Sequence, residues 1–558
     1  MKNIVRVTAF LFALIMLLST VASCKKKNQD GNSESDATVS ESQSNAGTEA
    51  NKESGNANDT DENTDADDSS DVAESDDVTE TESETEKETN EWGDEVVENT
   101  IPEDLNYNGA AVNIVIRKGQ YGREWTSDKI SDAVDLEVFT RNQKVQKELG
   151  VTFNFIPISD NSQSSGGTKH MTDAITKVGK SGGKEYDIVN QYRNDAGSIE
   201  VMPFYKNVRG GDFVYLDLDK PYWSQNFNKV LNTNGKQYFF VGDINLTLWD
   251  RAIVVFFNKS KLETYANVTE QELYQMVIDE QWTYETFHNM IKNVHEDATG
   301  DGKSSDDFFG LSSIGVSEAS DGLLYSWNVA LSETTVEGYH RIVTGSAKQK
   351  VIDMGEKLIQ LYSANGSYLN INTNDNIAHF TEGHALFNID TLYHNSEHLA
   401  ALRGMDGGYG IVPTPMYDTD QGDYYTGVQD AHTIMSVIDG DKDYEMLSAV
   451  LDLLAYESYN SVRPYYVKVI IKERNLDDTK SGEMFDIIMD GVTIDFVDMF
   501  EGADPKTRWL LWRKPFQRTM GVIKDGELSF TVAFEEANGN GALDEKLQNL
   551  DLFLDRVG

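Results

Sequence analysis

From about residue 110 onward, the chain alternates between two hydrophobic periods. Ala111–Arg117, AVNIVIR, is a β-branched run of the kind that forms a buried strand. Asp132–Leu149, DAVDLEVFTRNQKVQKEL, spaces its apolar residues for a helix and stops at Gly150, a residue suited to a helix C-terminus. Val151–Ile156 predicts a second strand, Thr172–Lys177 a second helix and Tyr186–Asn190 a third strand. The order β-α-β-α-β implies a mostly parallel sheet covered by helices. Similar alternation runs on to the C-terminus, over a length that accommodates two such lobes. No internal repeat of about 20–50 residues is present.

The N-terminal region follows neither period. Behind Lys2 and Arg6, Val7–Ala22 is an apolar run too short and wrongly flanked for a membrane span, and suited to a signal-peptide core. It ends in Val21-Ala22-Ser23-Cys24, and Cys24 is the only cysteine in the chain. This ending resembles the bacterial lipobox, in which small residues precede a cysteine that is diacylated and becomes the new N-terminus. The resemblance implies a lipoprotein signal peptide at 1–23 and lipidation at Cys24. It places the protein on the extracytoplasmic face of a bacterial cell membrane, where two acyl chains suffice for stable anchoring. A single thiol leaves no disulfide within the mature chain.

Net charge is −46, and it is unevenly spread. Between Lys25 and Thr100 there are 25 acids against five lysines, so −20 of the −46 lies in that stretch. The segment is rich in Ser, Thr, Asn, Asp and Glu and almost free of large apolar residues. It cannot bury enough surface to offset its ordering entropy, and like charges extend it. Residues 24–100 are therefore expected to form a disordered acidic tether. The acidity argues against nucleic acid, or anionic lipid head groups, as partners of the folded body.

Several segments of the body carry a family resemblance. Asn234-Gly235-Lys236-Gln237-Tyr238 is followed by Phe240-Val241-Gly242-Asp243 and then by Ala252–Lys259, AIVVFFNK. Trp282–Phe287, WTYETF, opens a helix. Phe380–Ile389, FTEGHALFNI, Tyr409–Pro415, YGIVPTP, and Tyr444–Glu457 follow in order. Together they resemble the extracellular solute-binding proteins of ABC importers, in the sugar-binding group known as family 1. The resemblance covers about residues 110–475 and is weaker over the last 80. It implies the type II periplasmic-binding-protein fold, two α/β lobes around a ligand cleft, with AIVVFFNK crossing between lobes. On this reading 101–250 and 411–470 form the first lobe, and 251–410 and 471–558 the second. It also implies a membrane permease as partner and no catalysis.

A cleft for sugars needs flat aromatic faces and planar polar side chains. In open α/β sheets it lies beyond the C-terminal ends of strands. The residues that follow the expected strands are Trp125, Gln191 and Tyr192, then Trp249, Asp250 and Arg251 at the crossover, then Asp390 and Tyr393, and Asp430. These are the expected ligand-binding residues. No cofactor is required, but Asp297-Ala298-Thr299-Gly300-Asp301 through Asp307 resembles a calcium loop, with Asp297, Thr299, Asp301 and Asp307 as candidate ligands. Its twelfth position is Phe308 rather than a bidentate acid, and an Asp/Gly-rich turn is the other reading.

Two function classes remain open at this level. One is a binding lipoprotein that captures a small solute, an oligosaccharide first of all, for an ABC permease. The other is a surface glycoside hydrolase or polysaccharide-adhesion lipoprotein, whose acid pair would not be visible in sequence.

Overall fold

The computed structural model describes residues 89, 96–126, 130, 133–159, 170–198, 200–314, 322–336, 340–369, 373–392, 396–473, 479–501, 529–537, 544–545, 547–549 and 551–552. The signal peptide, Cys24, nearly all of the expected tether and Tyr393 lie outside the described residues.

The first lobe opens with strand β1 (Ala110–Arg117), helix α1 (Ala133–Leu149), β2 (Val151–Ile158), α2 (His170–Lys180) and β3 (Ile188–Tyr192). β1 lies between β2 and β3 and runs parallel to both. The period of two sends alternate side chains to opposite cores. Val115 and Val189 pack on one face of the sheet, while Ile114, Ile116 and Ile188 pack on the other. Gly150, between α1 and β2, has φ +60°, and a Cβ there would meet the Asn106 side chain at 2.4 Å. Only glycine makes this turn without a clash.

β3 begins two residues later than the pattern predicts. The Asp187 carboxylate accepts from the Asn113 backbone N–H at 2.7 Å and from Lys442 Nζ at 2.6 Å. Ladder pairing with β1 begins only after this, at Ile114–Ile188. Gln191 and Tyr192 consequently belong to the strand rather than to the loop beyond it.

The chain leaves the first lobe through the short helix α3 (Leu246–Asp250). The second lobe follows with β4 (Ile253–Asn258), β5 (Phe308–Ser313), α4 (Gly345–Ser363), α5 (Thr373–Thr381), β6 (Ala385–Thr391) and β7 (Tyr409–Pro413). In a six-stranded sheet these strands run in the order β7-β4-β6-β5, with β6 and β7 antiparallel to β4 and β6 parallel to β5, and the short strands His295–Glu296 and Ser367–Leu369 also pair with β5. Every residue of β4 is buried. Val255 and Phe257 face one core, and Val254 and Phe256 the other. This strand lies inside the second lobe, so the crossing falls before it, at Arg251–Ala252.

The return comes after β7. β8 (Thr433–Val437) pairs antiparallel with β3 and completes a four-stranded first sheet. Because β7 is held in the second sheet by β4, the boundary lies between Pro413 and Thr433 rather than at 411. The two crossings touch: Ala252 bridges Val428, and the Gln429 N–H donates to the Arg251 carbonyl at 2.9 Å.

Helices α6 (Tyr444–Glu457) and α7 (Arg463–Glu473) pack on α1 in the first lobe. Helix α8 (Thr479–Asp490) packs on β7 in the second. α9 (Phe496–Glu501) then adds Phe496, Met499 and Phe500 to a first-lobe core, and α10 (Phe530–Ala537) adds Phe530 and Phe534 to a second-lobe core. The described residues of 471–558 therefore serve both lobes, not the second alone. Among the described residues no helix is long and apolar enough to cross a membrane.

Candidate functional site

β1 and β3 end at Arg117 and Tyr192, and antiparallel β8 begins beside them at Thr433. The pairing gathers four side chains from distant parts of the sequence at one edge of the first sheet. Arg117 Nη1 donates to the Ala431 carbonyl at 2.5 Å, and its guanidinium lies 4.9 Å from the centre of the Tyr192 ring. The Arg193 backbone N–H donates to the His432 carbonyl at 3.2 Å. The segment 429–432 also meets the outgoing crossing, where Arg251 Nη1 donates to Gln429 Oε1 at 3.2 Å.

The second lobe presents a polar group at the end of β6. Asp390 is fully buried. Its carboxylate accepts from the Thr391 N–H at 2.7 Å and from Asn376 Nδ2 at 3.0 Å. Asn376, on α5, also donates to Asn388 Oδ1 at 2.7 Å and accepts from the Ser312 hydroxyl at 2.5 Å. Burial pushes the Asp390 carboxyl up to about 7; these hydrogen bonds and the Arg251 charge act in the opposite direction. Arg251 thus bonds to the returning segment and acts electrostatically on the second lobe.

Other expected ligand residues have structural partners. Trp125 is fully buried in a first-lobe core, so it is a packing residue rather than a cleft surface. Gln191 Nε2 donates to the Tyr205 hydroxyl at 2.7 Å, inside the first lobe. The Trp249 ring lies 5.4 Å from that of Tyr466 on α7, whose hydroxyl donates to Asp250 at 2.7 Å. Trp249 also lines a cavity of about 270 Å³ with Trp223, Asp243, Arg463 and Asp490. Trp249 and Asp250 therefore fasten the crossover to α7. Tyr192, Arg251, Asp390 and Asp430 do lie at the strand ends and crossings. Arg117 and His432 were not anticipated there.

The Asp-rich loop turns its carboxylates onto its own backbone. Asp297 accepts from the N–H groups of Gly300 and Gly302, and Asp307 from those of Ala298 and Ser304 as well as from His295. Asp301 accepts from the Thr299 hydroxyl. Among the described residues no group of three or more His, Cys, Asp or Glu side chains is placed to hold a metal. These hydrogen bonds are those of an Asp/Gly-rich turn.

Two α/β lobes joined by paired crossings, with polar strand ends in each, define a two-lobed architecture. No family model matches the sequence, and no curated protein matches it. Among solved structures the chain is similar to a cyclo/maltodextrin-binding protein complexed with maltotetraose, with 12% identity and TM-score 0.49, over 79% of this chain and 98% of that one. It is also similar to the galacto-N-biose-/lacto-N-biose I-binding protein of the ABC transporter from Bifidobacterium longum, with 11% identity and TM-score 0.47, over 80% and 98%. A third is the GacH receptor of Streptomyces glaucescens, with 13% identity and TM-score 0.46, over 79% and 99%.

Proposed function

We propose that this chain is an extracytoplasmic solute-binding lipoprotein. It captures an oligosaccharide between its lobes and delivers it to an ABC permease, without catalysis. The observation that carries this reading is the meeting of the two crossings at Arg251 and Gln429, between the strand-end groups of the two lobes. A ligand that touches both groups binds the closed arrangement better than the open one and shifts the population toward it. Guanidinium, carboxyl, amide and imidazole groups suit a ligand with many hydroxyls, each able to donate and accept.

The test is a thermal-shift screen of the signal-free protein against neutral and acidic oligosaccharides, monosaccharides, amino acids and peptides. Binding to the native state raises the melting temperature by mass action. An oligosaccharide should give the largest rise, confirmed by calorimetric titration. A screen in which only amino acids or peptides respond would overturn the sugar assignment. Release of reducing ends from a bound polysaccharide would overturn the non-enzymatic one.

A further inference from the structure

We propose that His432 accepts a hydrogen bond from a ligand hydroxyl, so that the site takes a neutral polyol surface at that point and rejects a carboxylate. This rests on the binding function proposed above.

His432 sits immediately before β8, beside the ends of β1 and β3. Its Nδ1 lies 2.9 Å from the Gln429 carbonyl oxygen. A carbonyl offers only lone pairs, so Nδ1 must carry the proton. The groups that act on the ring come from three segments. Burial and the Arg193 and Arg117 cations oppose a second proton, while Asp430 and the Gln429 carbonyl favour one. The former dominate and push the imidazole pKa down to about 3. The ring is therefore neutral near pH 7, and Nε2 is a bare lone pair.

His432 is fully buried, and among the described residues none hydrogen-bonds to its Nε2. The Phe227 ring packs edge-on against the imidazole at 5.8 Å and 88°, which helps fix its orientation. A buried acceptor left unpaired costs about 1–3 kcal/mol, so such atoms are uncommon and need a reason. Here the reason is position: the atom belongs to the strand-end layer, within one turn of the Gln429 that meets the crossing. A hydroxyl donates its proton to Nε2 and keeps two lone pairs for a guanidinium. A carboxylate has no proton to give, and its lone pairs oppose that of Nε2, whatever the arginines offer.

The experiment uses protein with ¹⁵N-labelled histidine, and maltotetraose, cellotetraose, xylotetraose and trigalacturonate as probes. The chain has nine histidines, so the His432 signals are assigned by their loss in His432→Gln. In the free protein Nε2 should be unprotonated and unchanged between about pH 5.5 and 7.5, where an ordinary histidine titrates. A bound neutral tetrasaccharide should move the Nε2 resonance toward that of a hydrogen-bonded acceptor. His432→Leu should weaken that affinity about tenfold or more, as expected when one partner of a buried hydrogen bond is removed. His432→Gln, whose amide oxygen accepts, should recover part of the loss.

A protonated Nε2 in the free protein would overturn the proposal. So would wild-type affinity in the Leu variant, or trigalacturonate binding that strengthens as pH falls and loses this dependence in His432→Gln. Failure of the wild type to bind any of the four probes would count against the oligosaccharide reading and this proposal together. Binding that ignores His432 would overturn this proposal alone.

Discussion

The hydroxyls of Thr247 and Thr433 lie 2.7 Å apart, and both are bonded to the carboxylate of Glu124. Thr247 is on α3, where the chain leaves the first lobe, and Thr433 opens β8, where it returns. Glu124 also accepts from the Thr247 N–H at 3.0 Å and from Asn190 Nδ2 at 2.5 Å. One buried side chain therefore fixes both crossings to the first lobe. Beyond this network the two crossings meet each other at Arg251–Ala252 and Val428–Gln429.

Glu124→Ala should destabilise the protein strongly. It removes the acceptor for Asn190, Thr247 and Thr433, and with it a charge that favours the buried Arg141 guanidinium. Breaking such a buried network from one side typically costs about 3–5 kcal/mol. Urea unfolding monitored by tryptophan fluorescence measures the loss. Thr433→Val removes the hydroxyl that bonds to Glu124, Thr247 and Asn245 but leaves the Glu124 carboxyl with its other partners, and should cost less, about 1–3 kcal/mol. Equal stability of wild type and Glu124→Ala would mean that the crossings are held elsewhere.

Asp390 and His432 should give opposite signs of pH dependence. The folded-state pKa of Asp390 is raised from 3.8 to about 7, so the folded chain holds a proton that the unfolded chain has released. Stability from this group falls as pH rises from about 4 to 7 and is constant above that. The folded-state pKa of His432 is lowered from 6.5 to about 3, so its contribution is complete above 6.5 and is lost as pH falls toward 3. Relative to wild type, Asp390→Asn should remove the decline between pH 4 and 7, and His432→Gln should remove the loss on acidification. Melting temperature across this range distinguishes them. A wild-type difference curve of the same sign for both variants would contradict the two assignments.

Much of the fold is legible because strands and helices bury different periods. AVNIVIR can bury alternate residues on two faces, and Tyr444–Glu457 forms the helix its pattern predicts. The site is less legible, for reasons of pairing. Asp187 spends its side chain on Asn113 and Lys442, which shifts β3 and turns Gln191 inward. His432 and Arg117 acquire their place only when β8 returns beside β3. The β-branched run after His432, TIMSV, is a readable strand, and a histidine at its entry was the available signal. The tryptophans misled because polar neighbours in sequence do not determine which way a ring turns. Trp125 is enclosed by core residues, and Trp249 faces α7.

Cys24→Ala should move the protein from the membrane fraction to the soluble extracytoplasmic fraction or the medium. The expectation comes from the Val-Ala-Ser-Cys ending of a short apolar run. Cell fractionation and mass analysis of the mature N-terminus read it directly. Unchanged membrane association, or an unmodified Cys24 in the mature chain, would contradict lipid anchoring.

Trp249→Ala should act on stability first and on ligand affinity second. The ring is buried, lies against Tyr466 and forms a wall of the 270 Å³ cavity shared with Trp223 and Arg463. Its removal enlarges that cavity, and truncating a buried tryptophan costs about 3–5 kcal/mol. Trp249→Phe keeps an aromatic face toward Tyr466 and should lose less. Tyr466→Phe keeps the ring and removes the hydroxyl that bonds to Asp250 at 2.7 Å, which costs about 1–3 kcal/mol because the acceptor is charged. Under conditions where all variants are folded, titration with a tetrasaccharide that binds the wild type should show less than about a tenfold change for Trp249→Ala, below the roughly 1.4 kcal/mol expected of a ring that stacks directly on a ligand. A variant that keeps wild-type stability but loses binding would return Trp249 to the cleft and reverse the assignment made from its packing.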